Sequence, residues 1–190
     1  NYKIVCGNSL LRTEKTLFNT NQLHTLQEQQ AAYFVETNPE QKQAQHEKID
    51  DLIEAITGGT FDFEIYFSGV FAAQGGFDVV IGNPPYVRQE LLKAQKPQLK
   101  AAFPKVYSGT ADLLVYFYAK GIELLRARGT LALITSNKFM RAGYGEKLRT
   151  HLTNATSLHT VIDFGDLPVF DATAYPCIVL VQKQEPQAEQ

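Results

Sequence analysis

Asn83-Pro84-Pro85-Tyr86 is the stretch of this sequence whose residue types and spacing first suggest chemistry. Pro85 forces the residue before it into an extended conformation, and both proline rings remove backbone donors, so a rigid wall of acceptors remains. From that wall the Asn83 side-chain oxygen and the Pro84 carbonyl can accept two hydrogen bonds from one NH₂ group. Tyr86 adds a flat face for a planar ring. The set suits an aromatic or amide amine. Asn-Pro alone is also a common turn, so the elements around the tetrad decide how it is read.

Phe77 to Ile81 is a continuous apolar run followed by Gly82. It predicts a central strand buried on both faces, with the tetrad beyond its carboxyl end, where open α/β sheets bind ligands. Upstream, Tyr2 to Cys6 predicts a short strand ending in a Gly7-Asn8 turn. Leu23, Leu26, Tyr33 and Phe34, then Ile49, Leu52, Ile53 and Ile56, keep helical spacing on either side of Asn38-Pro39. They predict a helical hairpin over residues 19 to 57 whose Gln- and Glu-rich outer faces are solvated. In the aromatic-rich stretch from Phe61 to Phe71, Phe61, Phe63, Ile65 and Phe67 alternate with Asp62, Glu64 and Tyr66, the pattern of a strand. Downstream, Thr110 is the expected N-cap of an apolar helix through Leu125 and Gly129 its stop. A strand at 130–135, a helix from about Gly143 to His151, and strands at 161–164 and 177–181 follow. Alternating strands and helices predict an α/β fold with a mainly parallel sheet covered on both faces.

Composition agrees with one packed domain. The 190 residues are 44% apolar and 20% charged, with 12 Phe and 9 Tyr, which excludes a mainly disordered chain. A formal charge of −2 argues against coating nucleic acid by bulk charge and leaves room for a local basic face. Cys6 and Cys177 lack metal-site or disulfide spacing and are expected to be reduced core thiols. No apolar run approaches the roughly 18 residues that span a bilayer, and no signal segment opens the chain. The expected location is the cytoplasm. A start in mid-strand and a polar Gln-Glu-Pro-Gln-Ala-Glu-Gln end suggest a piece of a longer protein.

Phe77 to Glu90 resembles motif IV of the N6-adenine DNA methyltransferases, above all the methyltransferase part of Type IIG restriction-modification enzymes. Other segments agree in order. Tyr2 to Leu10 resembles the motif III strand and turn, and Phe61 to Phe71 the aromatic run before motif IV. Ala111 to Phe117 resembles motif V, Gly129 to Phe139 motif VI, and Val161 to Val181 motifs VII and VIII. The resemblance covers most of the chain outside a helical insertion at residues 11–60. It implies a partial Rossmann-like methyltransferase fold dependent on S-adenosylmethionine, acting on double-stranded DNA.

The resemblance also implies roles. A target adenine is flipped out of the duplex. Asn83 and the Pro84 carbonyl accept its two amine hydrogens, which frees the nitrogen lone pair to attack the methyl group of S-adenosylmethionine. Tyr86 stacks on one face of the base and Phe170, in Leu-Pro-Val-Phe-Asp, on the other, with Pro85 a further substrate-binding residue. Asn8 and Phe117 fall at positions that contact the cofactor. Asn8 stands where these enzymes often carry Asp, and its alternative reading is a turn residue. Phe117 reads equally as a core aromatic, and Asp112 as an aid to the start of its helix.

The main departure is that no Phe-x-Gly-x-Gly loop and no ribose-binding acid of motifs I and II occur in the chain. Half of the cofactor site is then expected to be missing, and the fragment to be inactive. An exposed 77–81 edge is expected to pair with the chain's own first strand or with a second copy. Arg88, Lys93, Lys96, Lys100 and Lys105, and then Lys138, Arg141, Lys147 and Arg149, are candidate phosphate contacts. Asp62 and Glu64 lack the neighbouring Lys of a nuclease site. Two other functions fit the tetrad: methylation of a glutamine amide in a protein, and a structural or DNA-contacting module without catalysis.

Overall fold

The computed structural model describes residues 5–10, 20–170 and 175–184. It divides into two compact units, Asn1–Gly75 and Gly76–Gln190.

In the first unit, α1 (Thr20–Val35) and α2 (Pro39–Thr57) form the expected hairpin. Asn38 caps α2, its side-chain oxygen accepting from the backbone N–H of Glu40 and Gln41, and Pro39 occupies the first turn. Gly58 ends α2 in the left-handed conformation, φ 57°. Leu26, Ile49, Ile53, Ile56 and Ile65 make the buried core. Each such side chain contributes about 1.5–3 kcal/mol by leaving water. Phe34, predicted on the buried stripe, is 60% exposed.

The Phe61 to Phe71 segment is not a strand. It forms two short helices, α3 (Phe63–Tyr66) and α4 (Ser68–Gln74). Asp62 decides the matter: it is buried, and its carboxylate accepts from Glu64 N at 2.8 Å as an N-cap. Buried Gln30 then ties α1 to this segment, donating to Tyr66 O and accepting from Ser68 Oγ and Gly69 N. Val5 and Cys6 are not in a strand, the first four residues lie outside the described part, and Cys6 is exposed, not a core thiol.

The second unit holds β1 (Phe77–Gly82), α5 (Lys96–Ala102), α6 (Leu114–Leu124), β2 (Leu125–Ser136), α7 (Glu146–Ala155), β3 (Thr156–Asp163) and β4 (Pro176–Lys183). The sheet order is β1-β2-β4-β3. β1 pairs parallel with β2, while β4 runs antiparallel to both β2 and β3. The sheet is therefore mixed, not mainly parallel. β1, β2 and β3 share one direction, with helices between them. Among the described residues no helix separates β3 from β4, in keeping with their antiparallel pairing.

β1 is an edge strand among the described residues, not a central one, and Val79 and Ile81 on one face are 60% and 80% exposed. Its apolar run signals a buried strand, but no neighbour covers that face here. Leu158, Val161 and Ile162 of β3 are likewise exposed, so the sheet is not covered on both faces. Gly129 does not stop α6. The helix passes directly into β2 at Leu125, and Arg128, with φ 64°, and Gly129 lie within a register shift of the β1–β2 ladder. Nor does Thr110 cap α6; Leu113 precedes it with no side-chain cap. Cys177 is buried within β4, as expected.

Candidate active site

The tetrad leaves the carboxyl end of β1, next to the end of β2 that carries Thr135 and Ser136. These residues, with Val87, Arg88, Asp112, Leu114, Lys138 and Phe170, enclose a cavity of about 460 Å³. Parallel pairing of Gly82 with Leu133 sends both strands to the same end of the sheet, so the loops beyond them share one rim.

Pro84 is buried while Asn83, Pro85 and Tyr86 are exposed at the mouth. The Asn83 side chain makes no hydrogen bond among the described residues, and no loop hydrogen bond is accepted by the Pro84 carbonyl. Two acceptors thus stand side by side with open lone pairs. The backbone that carries them is fixed from behind. Val87 N donates to Pro85 O at 2.9 Å, and Leu113 N donates to Val87 O at 3.0 Å. Asp112 completes the clasp: one carboxylate oxygen accepts from Gln89 N and the other from Tyr144 OH, both at 3.1 Å. Burial, followed by the Asp112 charge and hydrogen bond, pushes the Tyr144 phenol well above its ordinary range, so it stays a donor.

Tyr86 and Phe170 meet across the mouth with ring centroids 5.9 Å apart and planes at 66°. A base held between two parallel faces needs roughly 7 Å, twice an optimal carbon contact. The rings therefore touch edge to face in this conformation, and a sandwich requires Tyr86 or Phe170 to rotate and the pair to spread by about 1 Å.

The model of the Eco57I restriction-modification methylase family matches residues 3–170. The chain belongs to that family. Among similar proteins, the Type II methyltransferase M.BstVI of Geobacillus stearothermophilus is 38% identical over 56% of this chain and 19% of its own length. M.PaeR7I of Pseudomonas aeruginosa is 33% identical over 58% of the chain and 20% of its length. The restriction enzyme and methyltransferase RM.Eco57I of Escherichia coli is 30% identical over 57% and 11%. The chain thus spans about a fifth or less of these curated relatives. A solved structure, the Type IIL restriction-modification enzyme MmeI in complex with DNA, aligns over 75% of the chain and 22% of its own with 17% identity and a TM-score of 0.44.

Within this methylase-family chain, Asn83, Pro84, Pro85, Tyr86 and Phe170 come together at one cavity. The two cofactor candidates lie elsewhere in the sequence. Asn8 lies in the first unit, where its side-chain oxygen accepts from Leu10 N at 3.0 Å, as a turn residue does. Phe117 is half-buried on α6 and does not line the cavity. Of the basic candidates, Arg88 and Lys138 line the cavity. Lys96, Lys147 and Arg149 are tied to the backbone carbonyls of Gly109, Tyr107 and Phe139.

Sequence reasoning missed Asp112 as a brace, because its partners lie 23 and 32 residues away. It also missed Thr135 and Ser136 as lining residues. Their signal was present, since they end a strand at the same sheet edge as Asn83.

Proposed function

We propose that this chain is the base-binding part of a DNA methyltransferase, within a restriction-modification system, that methylates the N6 amine of an adenine flipped out of double-stranded DNA. The observation that carries this reading is the pair of open acceptors, Asn83 Oδ1 and the Pro84 carbonyl, at the mouth of an aromatic-flanked cavity. Accepting both amine hydrogens draws electron density onto the nitrogen and favours the tetrahedral geometry in which its lone pair is available. The Asp112 clasp fixes the loop beyond the tetrad, so the acceptors meet the amine already oriented. Tyr86 and Phe170 then hold the base plane, each stack contributing about 1–3 kcal/mol toward extrusion.

S-adenosylmethionine, the proposed cofactor of the full-length protein, supplies an electrophilic methyl group. The described lining residues do not fit the whole of it. Asp112 is the one carboxylate among them, and its oxygens already hold Gln89 N and the Tyr144 hydroxyl, so no second acid stands by for a ribose diol. Residues 1–190 alone are accordingly proposed to be inactive. The 11–60 segment is proposed as an insertion within the catalytic domain. No helix among the described residues is long and apolar enough to cross a membrane, and action on cytoplasmic DNA is the proposed setting. The bare Val79 and Ile81 edge supports self-association through residues 77–81, which sedimentation of the chain tests.

A glutamine amide has the same NH₂ group, but two rings at the mouth favour a planar base. Labelled S-adenosylmethionine, incubated with full-length protein and either duplex DNA or a glutamine peptide, separates the readings. Label recovered as N6-methyladenine is expected. Label in the peptide would replace the DNA reading, and no label in either would leave a structural module.

A further inference from the structure

The cavity holds two hydroxyls that amine capture does not use. Thr135 and Ser136 end β2, line the cavity beside Asn83 and Pro84, and are 1% and 8% exposed. The Tyr118 phenol lies 3.0 Å from Thr135 Oγ1, both groups buried. It is the phenol's one hydrogen-bond partner among the described residues. A buried O–H requires an acceptor, so Tyr118 donates and Thr135 accepts. The remaining protein contact for the Thr135 proton is Cys177 Sγ at 3.9 Å, a weak acceptor. Ser136 Oγ accepts from Lys138 N at 3.4 Å, which leaves the Ser136 proton without an acceptor among the described residues. Gly82 pairs with Leu133, so Thr135 and Ser136, two and three residues further along β2, lie at the same end of the sheet as the loop that carries the two open acceptors.

We propose that Thr135 and Ser136 form a donor edge that binds a ring nitrogen flanking the target amine. An aminated heterocycle presents just this pattern, an NH₂ group with an acceptor nitrogen beside it, and in adenine the flanking nitrogens are N1 and N7. Acceptors on the β1 loop take the amine while donors on β2 take the ring. Together they fix the base in its plane, which stacking on Tyr86 and Phe170 cannot do. The inference rests on the base-methylation reading and adds the contact that orients the base.

The test is single-turnover methyl transfer by the full-length protein on duplexes carrying adenine, 1-deazaadenine or 7-deazaadenine at the target position. Ser136→Ala is compared with the double variant Tyr118→Phe/Thr135→Val, which removes the phenol that Val alone would strand. At least one variant is expected to lose about tenfold on adenine, the scale of one hydrogen bond. That loss should vanish on one deaza substrate, which the unmodified protein should itself methylate about tenfold more slowly. Unchanged rates of the unmodified protein on both deaza substrates overturn the proposal without reference to any variant. Variant losses that persist undiminished on both also overturn it. If the unmodified protein methylates no adenine duplex at all, the base-methylation reading falls first and this inference with it.

Discussion

The two units use the same residue types in opposite ways. In the first, Asn38 gives its side-chain oxygen to the first turn of α2 and Asn8 to the turn before Leu10. In the second, Asn83 keeps its amide open at a cavity mouth. The aromatics differ similarly. Phe61, Phe63 and Tyr66 pack on one another, with centroids 4.7 Å and 5.0 Å from Phe61, whereas Tyr86 and Phe170 meet edge to face at the mouth of a cavity. Residue type does not mark a site. What marks it is a polar group with no partner inside the fold, on a backbone that has been fixed by others.

The sharpest way to break that contrast is Asn83→Ala in the full-length protein. Loss of one preorganised hydrogen-bond partner should cut methyl transfer on the order of 10²–10³-fold while DNA binding by gel shift stays unchanged. A variant with near-normal rates would make Asn83 no different from Asn38. Next in size is Asp112→Ala, which removes both bonds of the clasp. It should cost about 1.5–3 kcal/mol of stability in thermal melts and speed hydrogen exchange at Gln89 N. Tyr86→Ala and Phe170→Ala should each weaken the hold on an extruded base by about 1–3 kcal/mol, read from the fluorescence of 2-aminopurine at the target position. An unchanged signal in both would return these rings to a packing role. The smallest effect is expected from Asn38→Ala. Losing this cap should lower the stability of the hairpin unit by about 1 kcal/mol and leave methyl transfer as it was. Any fall in transfer there would tie the hairpin to catalysis.

Local rules explain why some of this was legible in the sequence. Helical spacing of Ile49, Leu52, Ile53 and Ile56 located α2, and the apolar run at 77–81 located β1. Two prolines announced the acceptor wall, and the strand before it gave the site its place beyond a strand's carboxyl end. Where a single distant contact competes with a local pattern, the pattern misleads. Phe61 to Phe71 alternates like a strand, yet the buried Asp62 cap and the Gln30 clip make it helical.

The sequence by itself therefore located the helical hairpin, the strands and helices around the tetrad, the tetrad proposed to capture an amine and the family to which it points, because those depend on residues adjacent in the chain. Only the tertiary structure decided that β4 enters antiparallel between β2 and β3, that β1 lies at an edge, and that Asp112 braces the tetrad loop. It also brought Thr135 and Ser136 to the cavity that Asn83 lines and joined Phe170 to Tyr86, 84 positions earlier in the chain. These are pairings between distant residues, set by how strands register and which hydrogen bonds survive burial, and no local spacing encodes them.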